Sequence, residues 1–195
     1  MNQMDGTHHI KTDRLTLRPL QAGDAPRVHA ILSNWNVVKM MRPVPHPYTL
    51  DMAEDWISGN GAAADIDIAC GFALLVNENL IGYIDIERLE NGASGMEGEL
   101  GYSLDEPYWG QGLITEAGRA ILTHAFNDKG FDRLTSGHAD DNPGSAKVLT
   151  KLGFHKTGQE KVWYIPRQCD VTRIAYRLDR STWRAGKRQG GWKKP

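Results

Sequence analysis

A chain of 195 residues, 40% apolar and 24% charged, has the make-up of one domain able to bury its own core. Its two cysteines, Cys70 and Cys169, give neither a disulfide framework nor a CxxC metal site, and no run approaches the ~18 apolar residues of a membrane span. The net charge of −1 hides an asymmetry: residues 180–195 hold Arg180, Arg184, Lys187, Arg188, Lys193 and Lys194 with no acid, which leaves residues 1–179 at −7.

In chain order, residues 1–9 read as a flexible start with no signal-peptide core, which makes the cytoplasm the expected compartment. Ile10 to Leu20 alternates and predicts a first strand. Asp24 is placed to cap a helix to about Leu32, and Pro43-Val44-Pro45-His46-Pro47 predicts a loop. Thr49 reads as the N-cap of a second helix that buries Met52, Trp56 and Ile57. Gly71 to Val76 and Leu80 to Leu89 bracket Asn77-Glu78-Asn79 as a hairpin. After a turn at Asn91-Gly92 comes an antiparallel strand, Glu97 to Leu104.

Gly112 to Phe126 carries the strongest helical periodicity, through Leu113, Ile114, Ala117, Ile121 and Ala125. Asp132 to His138 predicts a short strand. Asn142-Pro143 opens a helix ending at Gly153, and Phe154 to Ile165 with Cys169 to Leu178 close as a second hairpin. The order predicts a mixed α/β fold, mostly antiparallel, with helices on both faces of the sheet. Residues 180–195 read as a basic, disordered tail, a candidate weak contact for nucleic acid or the ribosome.

The chemistry concentrates in Tyr108-Trp109-Gly110-Gln111-Gly112-Leu113-Ile114-Thr115. Gly110 and Gly112 let the backbone turn sharply, so that several amide N–H groups converge at the positive end of a helix. Such a cradle suits a phosphate or pyrophosphate. A Rossmann site fits worse, because no GxGxxG follows a strand and no parallel βαβ unit surrounds it. Upstream, Asp85, Glu87, Glu90, Glu97, Glu99, Asp105 and Glu106 face one Arg88. That acidic span reads either as a rim attracting a cationic amine or as solvated strand ends. His124 and His138 have no metal-ligand spacing with another His or Cys, and no metal is expected.

Four elements in order carry a family likeness: Thr12-Asp13-Arg14-Leu15-x-Leu17-Arg18, residues 98–117 (GELGYSLDEPYWGQGLITEA), Asp141-Asn142-x-x-Ser145, and Lys151-Leu152-Gly153-Phe154. Over residues 10–179 the chain resembles the GNAT N-acetyltransferase superfamily, and within it the RimJ/RimL-like subgroup of ribosomal-protein N-terminal acetyltransferases. The resemblance implies acetyl-CoA as co-substrate, a primary amine as acceptor (a peptide N-terminus first, a small amine such as an antibiotic or polyamine second), direct transfer in a ternary complex, and a monomer or homodimer. A CoA-binding sensor without turnover is the reading from another class.

Within that likeness, Tyr102, Ser103 and Leu104 lie on the strand beside the cofactor. Trp109, Gly110, Gln111, Gly112, Leu113, Ile114 and Thr115 form the pyrophosphate loop. Trp109 and Ile114 depart from the family pattern, which has a polar and a small residue there. Asn142 is implied to meet the pantetheine arm or a water, and Ser145 the CoA sulfur, as proton donor. Glu99 is the candidate base, because alternation sets it opposite Leu100, Tyr102 and Leu104 at the end of the strand that leads to the cradle. In RimL-like enzymes a glutamate after the KLGF element has the base role, whereas the matching stretch here is Glu160-Lys161-Val162-Trp163-Tyr164. Glu116, in the first helical turn, reads as structural.

Overall fold

Nine strands form one sheet in the order β1-β2-β3-β4-β5-β6-β7-β9-β8 in the computed structural model, which describes residues 4–5, 9–60, 70–89 and 95–188. The strands are β1 (Met4–Asp5), β2 (His9–Lys11), β3 (Thr16–Arg18), β4 (Cys70–Val76), β5 (Asn79–Leu89), β6 (Glu97–Leu104), β7 (Arg133–Ala139), β8 (His155–Tyr164) and β9 (Cys169–Asp179). Every neighbouring pair is antiparallel except β6 and β7. The helices are α1 (Ala25–Leu32), α2 (Trp35–Val38), α3 (Leu50–Asn60), α4 (Leu113–His124), α5 (Pro143–Lys151) and α6 (Arg180–Arg188). The expected turn at Asn91-Gly92 lies outside the described residues.

Two cores sit on opposite faces of the sheet. Leu113, Ala117 and Ile121 of α4, with Leu149 of α5 and Trp183 of α6, pack on Leu74, Ile84, Ile86, Leu100, Leu134 and Leu178. Val28, Ile31, Ala53 and Ile57 of α1 and α3 pack on Ala73, Leu75 and Leu80. The period-2 pleat of β4 divides its own residues between these layers, which is why its sequence is almost continuously apolar.

Ile10 to Leu20 is two short strands, β2 and β3, rather than the single strand expected. Thr12 reverses the chain: its N–H donates to the Leu15 carbonyl at 2.9 Å and its Oγ1 accepts from the Leu15 N–H at 3.0 Å. Asp24 starts α1 but its carboxylate makes a two-pronged pair with Arg18 at 2.7 and 2.8 Å rather than capping that helix.

The tail expected to be disordered from residue 180 is helical over Arg180–Arg188. Trp183 is only 2% exposed, with its ring 5.0 Å from that of Phe126, and Lys187 lies over the indole at 4.3 Å. Arg180 fixes the start of the helix on the carbonyls of Gly130 and Phe131. One buried indole outweighs the composition, because an aromatic of this size removes a large apolar area from water. The sequence boundary at 179 therefore falls inside the packed body.

Candidate active site

Strands β6 and β7 run parallel only across Glu97–Arg133, Gly98–Leu134 and Glu99–Thr135, and beyond those pairs they part. Ser136 Oγ donates to the Leu100 carbonyl at 2.8 Å just where the ladder ends. Beyond Glu99 no register pair joins β6 to β7, which leaves main-chain groups on that edge of β6 open to a ligand or to water. The wedge between the strands opens into a cleft of about 1310 Å³ that continues over the sheet to the loop before α3.

The cradle stands at one end of this cleft. Gly110 (φ 74°) and Gly112 (φ 77°) both adopt the left-handed region, and Gly112 caps α4. The first bond of the helix runs from the Glu116 N–H to the Gly112 carbonyl at 3.0 Å, so the N–H groups of Leu113, Ile114 and Thr115 have no acceptor within it. A Cβ at Gly110 would meet nothing within 4 Å, which leaves the backbone open to a ligand. Ile114 departs from the family pattern without blocking the loop, because its side chain is buried in the α4 core. Trp109, 44% exposed, lines the cleft and ties its indole N–H to the Leu104 carbonyl at 2.7 Å, so that carbonyl already has a partner.

Gln111 stands apart from the other predicted loop residues. Its side chain turns back to the Pro107 carbonyl at 3.1 Å, on a smaller groove shared with Asp13 and Arg14. Its own carbonyl accepts from Arg14 at 2.9 Å. Arg14 also donates to Glu116 from its Nε (2.7 Å) and its main-chain N–H (2.8 Å), and Thr12 Oγ1 donates to the same carboxylate at 2.6 Å. Burial pushes the Glu116 carboxyl up, but these hydrogen bonds outweigh it and hold the group below its ordinary range. The Thr12-Asp13-Arg14-Leu15 element is thus a brace on the glycine loop.

At the wedge, Asn142 caps α5 by accepting the Ser145 N–H at 3.1 Å, and Ser145 is buried against the cleft. Ser145 Oγ lies 2.6 Å from the Tyr102 hydroxyl, a pairing of residues 43 positions apart that only the fold creates. Burial pushes the Tyr102 phenol up to about 12, so it keeps its proton through the neutral range. Leu104, Ser103 and Thr115 line the same cleft.

The opposite face of β6 carries charge. Glu87 pairs in register with Glu99, Asp85 with Gly101, and Tyr83 with Ser103, so these six share one face. Arg173 of β9 bridges to Glu99 at 2.5 Å and to Glu160 at 3.1 Å. Glu160, paired in register with Arg173, therefore shares its guanidinium with Glu99. A Cβ on Gly137 would stand 2.5 Å from the Arg173 Cζ, and one on Gly101 would stand 2.6 Å from Asp85 Oδ1. Side chains from the outer strands β5 and β9 thus lie across the two glycines of the parting strands.

Arg167, in the turn between β8 and β9, ties that turn to the end of α2 and to Asp141. It donates to the Lys39 carbonyl at 2.5 Å and to both oxygens of Asp141 at 2.9 and 3.1 Å. Its hydrogen bonds hold the Asp141 carboxyl below the ordinary range. His138 is buried with Nδ1 2.7 Å from the Ala139 carbonyl, and His124 sits 2.8 Å from Asp128. Among the described residues no group of His, Cys, Asp and Glu could hold a metal ion, and no helix is long and apolar enough to cross a membrane.

A parallel pair thus parts beside a glycine-opened helix N-terminus, and one cleft joins the two. Residues 14–155 match the family model described as an acetyltransferase (GNAT) domain, and the chain belongs to that family of acetyl-transferring enzymes. It is 27% identical over 160 residues to the probable N-acetyltransferase YjcK of Bacillus subtilis strain 168, covering 76% of this chain and 84% of that one. It is 32% identical over 98 residues to the ribosomal-protein-serine acetyltransferase of Escherichia coli strain K12, covering 50% and 54%. Among solved structures, Mycobacterium smegmatis RimJ in complex with CoA-disulfide shares the fold with a TM-score of 0.75 at 18% identity, covering 90% of this chain and 89% of that one.

Proposed function

We propose that this protein transfers an acetyl group from acetyl-CoA to the N-terminal amine of a protein or peptide, by direct attack in a ternary complex. The observation that carries the reading is the single cleft joining the open N–H cradle of α4 to the carboxylates on the far face of β6. The ribosomal-protein acetyltransferases among the relatives support a protein acceptor.

The N–H groups of Gly112, Leu113, Ile114 and Thr115 suit a pyrophosphate, and the edge of β6 at Tyr102–Leu104 that faces away from β5 suits an amide-bearing arm such as pantetheine. Acetyl-CoA supplies an acyl group on a thiolate leaving group. The chain's own residues handle the protons. Glu99, held by Arg173, meets the acceptor's ammonium, directly or through a water, and draws it toward the neutral, nucleophilic form. Ser145, oriented by its hydrogen bond to Tyr102, is the donor to the departing thiolate, and the proton it gives is replaced by the second N–H proton of the attacking amine.

The test is free-thiol release from acetyl-CoA against N-terminal peptides, polyamines and aminoglycosides. Turnover with peptides alone supports the reading, and turnover with polyamines or aminoglycosides alone replaces it with small-amine transfer. Glu99→Gln and Ser145→Ala are expected to lower the rate by about 10²-fold or more with CoA affinity retained. Full activity in both would remove them from the chemistry.

A further inference from the structure

Asp85 belongs to the acidic span but to none of the four family motifs, and the proposed function gives it no role of its own. It lines the cleft, partly buried, on the face it shares with Glu99. Its seat is made by Gly101: any side chain there would displace the carboxyl, since even a Cβ would come within 2.6 Å of Oδ1. Gly101 is also among the first residues of β6 beyond its last pair with β7, so the carboxylate lies over the point where the wedge opens. Glu99 is committed to Arg173, whereas Asp85 has no ion pair among the described residues.

We propose that Asp85 is the general base that takes the acceptor's proton, with Glu99 and Arg173 orienting the ammonium beside it. The inference rests on the acetyl-transfer reading and divides the work assigned there to Glu99. An ammonium loses two N–H protons on becoming an amide. One passes to Asp85 and from there to solvent; the other leaves on the thiol, as the new C–N bond forms and the C–S bond breaks with its electron pair on sulfur.

The surroundings favour a proton on Asp85 near neutrality. Burial pushes its carboxyl up to about 7, and the negative charges of Glu87 on its own strand and Glu99 on β6 add to the effect. Tyr83 is the phenolic neighbour on β5, β4 offers only Gly71 in register, and the Arg173 guanidinium, which also lines the cleft, is taken by Glu99 and Glu160. A base that changes protonation state near the pH of the reaction is suited to exchange protons with an α-amine, whose ordinary pKa is near 8.

The experiment is a pH profile of kcat/KM for acetylation of an alanine-initiated peptide, read as thiol release, in the full chain. The expected wild-type profile falls on the acid side of about neutral pH. Asp85→Asn is expected to lose about 10²–10⁴-fold and to lose that acid limb. Glu99→Gln is expected to lower kcat/KM as well, but through a higher KM for the peptide and with the limb kept. Gly101→Ala, which retains Asp85 but fills its seat, is expected to lower kcat with CoA affinity unchanged. An acid limb that survives in Asp85→Asn overturns the proposal. If the wild type acetylates no peptide, the acceptor reading fails, and Asp85 is judged by carboxyl-carbon NMR of the CoA-bound chain: the aspartate signal missing in Asp85→Asn supports the proposal by titrating near neutrality and overturns it by titrating near 4.

Discussion

Glu116 gathers three donors, Thr12 Oγ1, the Arg14 N–H and the Arg14 guanidinium, and is only 8% exposed. Its carboxyl is held below the ordinary value of 4.5 in the folded chain, so the native state binds its proton less readily than the unfolded one. The stability this supplies is fully present above the unfolded value and is lost as pH falls through the folded one. Glu116→Gln keeps the shape but removes the charge that two of these hydrogen bonds need. The expected cost is about 2 kcal/mol at pH 7, shrinking as pH drops toward 3, read from urea melts at the two pH values. Because Arg14 also holds the Gln111 carbonyl, CoA affinity should fall along with stability. A cost equal at both pH values would mean that the carboxylate's charge contributes nothing. The sequence placed Glu116 correctly as structural from helix-dipole reasoning, but its partners lie about 100 residues away and only the fold brings them in.

At the scale of elements, α6 shows how one side chain converts a basic segment into part of the body. Trp183 meets Phe126 at the wide turn that follows α4, and Arg180 binds the carbonyls that end that turn. Trp183→Ala is expected to cost about 3–5 kcal/mol, the usual result of emptying an aromatic site, and is measured by denaturant unfolding. A cost below about 1 kcal/mol would mean that α6 is merely laid on the surface. Helices α3, α4 and α5 and the hairpin β4–β5 were legible because each carries a local signal: Thr49 before α3, the glycine pair before α4, Asn142-Pro143 before α5, Asn77-Glu78 in the hairpin turn. The expected disorder fails over Arg180–Arg188 because a mean composition gives no weight to where one residue, Trp183, is buried. The site divides along the same line. Glu99, Asn142, Ser145 and the glycine loop sit in contiguous motifs. Asp85 and Arg173 reach the cleft only through strand register across Gly101 and Gly137, which no stretch of sequence displays.

The whole molecule is one sheet with a core on each face, and the cleft crosses it where two central strands stop pairing. A ligand lodged in that wedge replaces missing ladder partners and fills the open amides of α4, so it binds the folded chain and has nothing comparable to bind once the chain unfolds. By mass action, CoA at about 100 times its dissociation constant then adds about 2.7 kcal/mol, or roughly 5–10 °C in melting temperature for a chain of this size. Trp183 packs on Phe126 at the far end of α4 from the Gly112 cap, so the two effects should be independent. Trp183→Ala is expected to melt lower than the wild type, while the shift produced by saturating CoA stays the same within about 0.5 kcal/mol. Differential scanning calorimetry of both proteins, with and without CoA, measures all four terms. A shift that vanishes in the variant would join α6 energetically to the cradle through α4; no shift in either protein would remove CoA from the cleft.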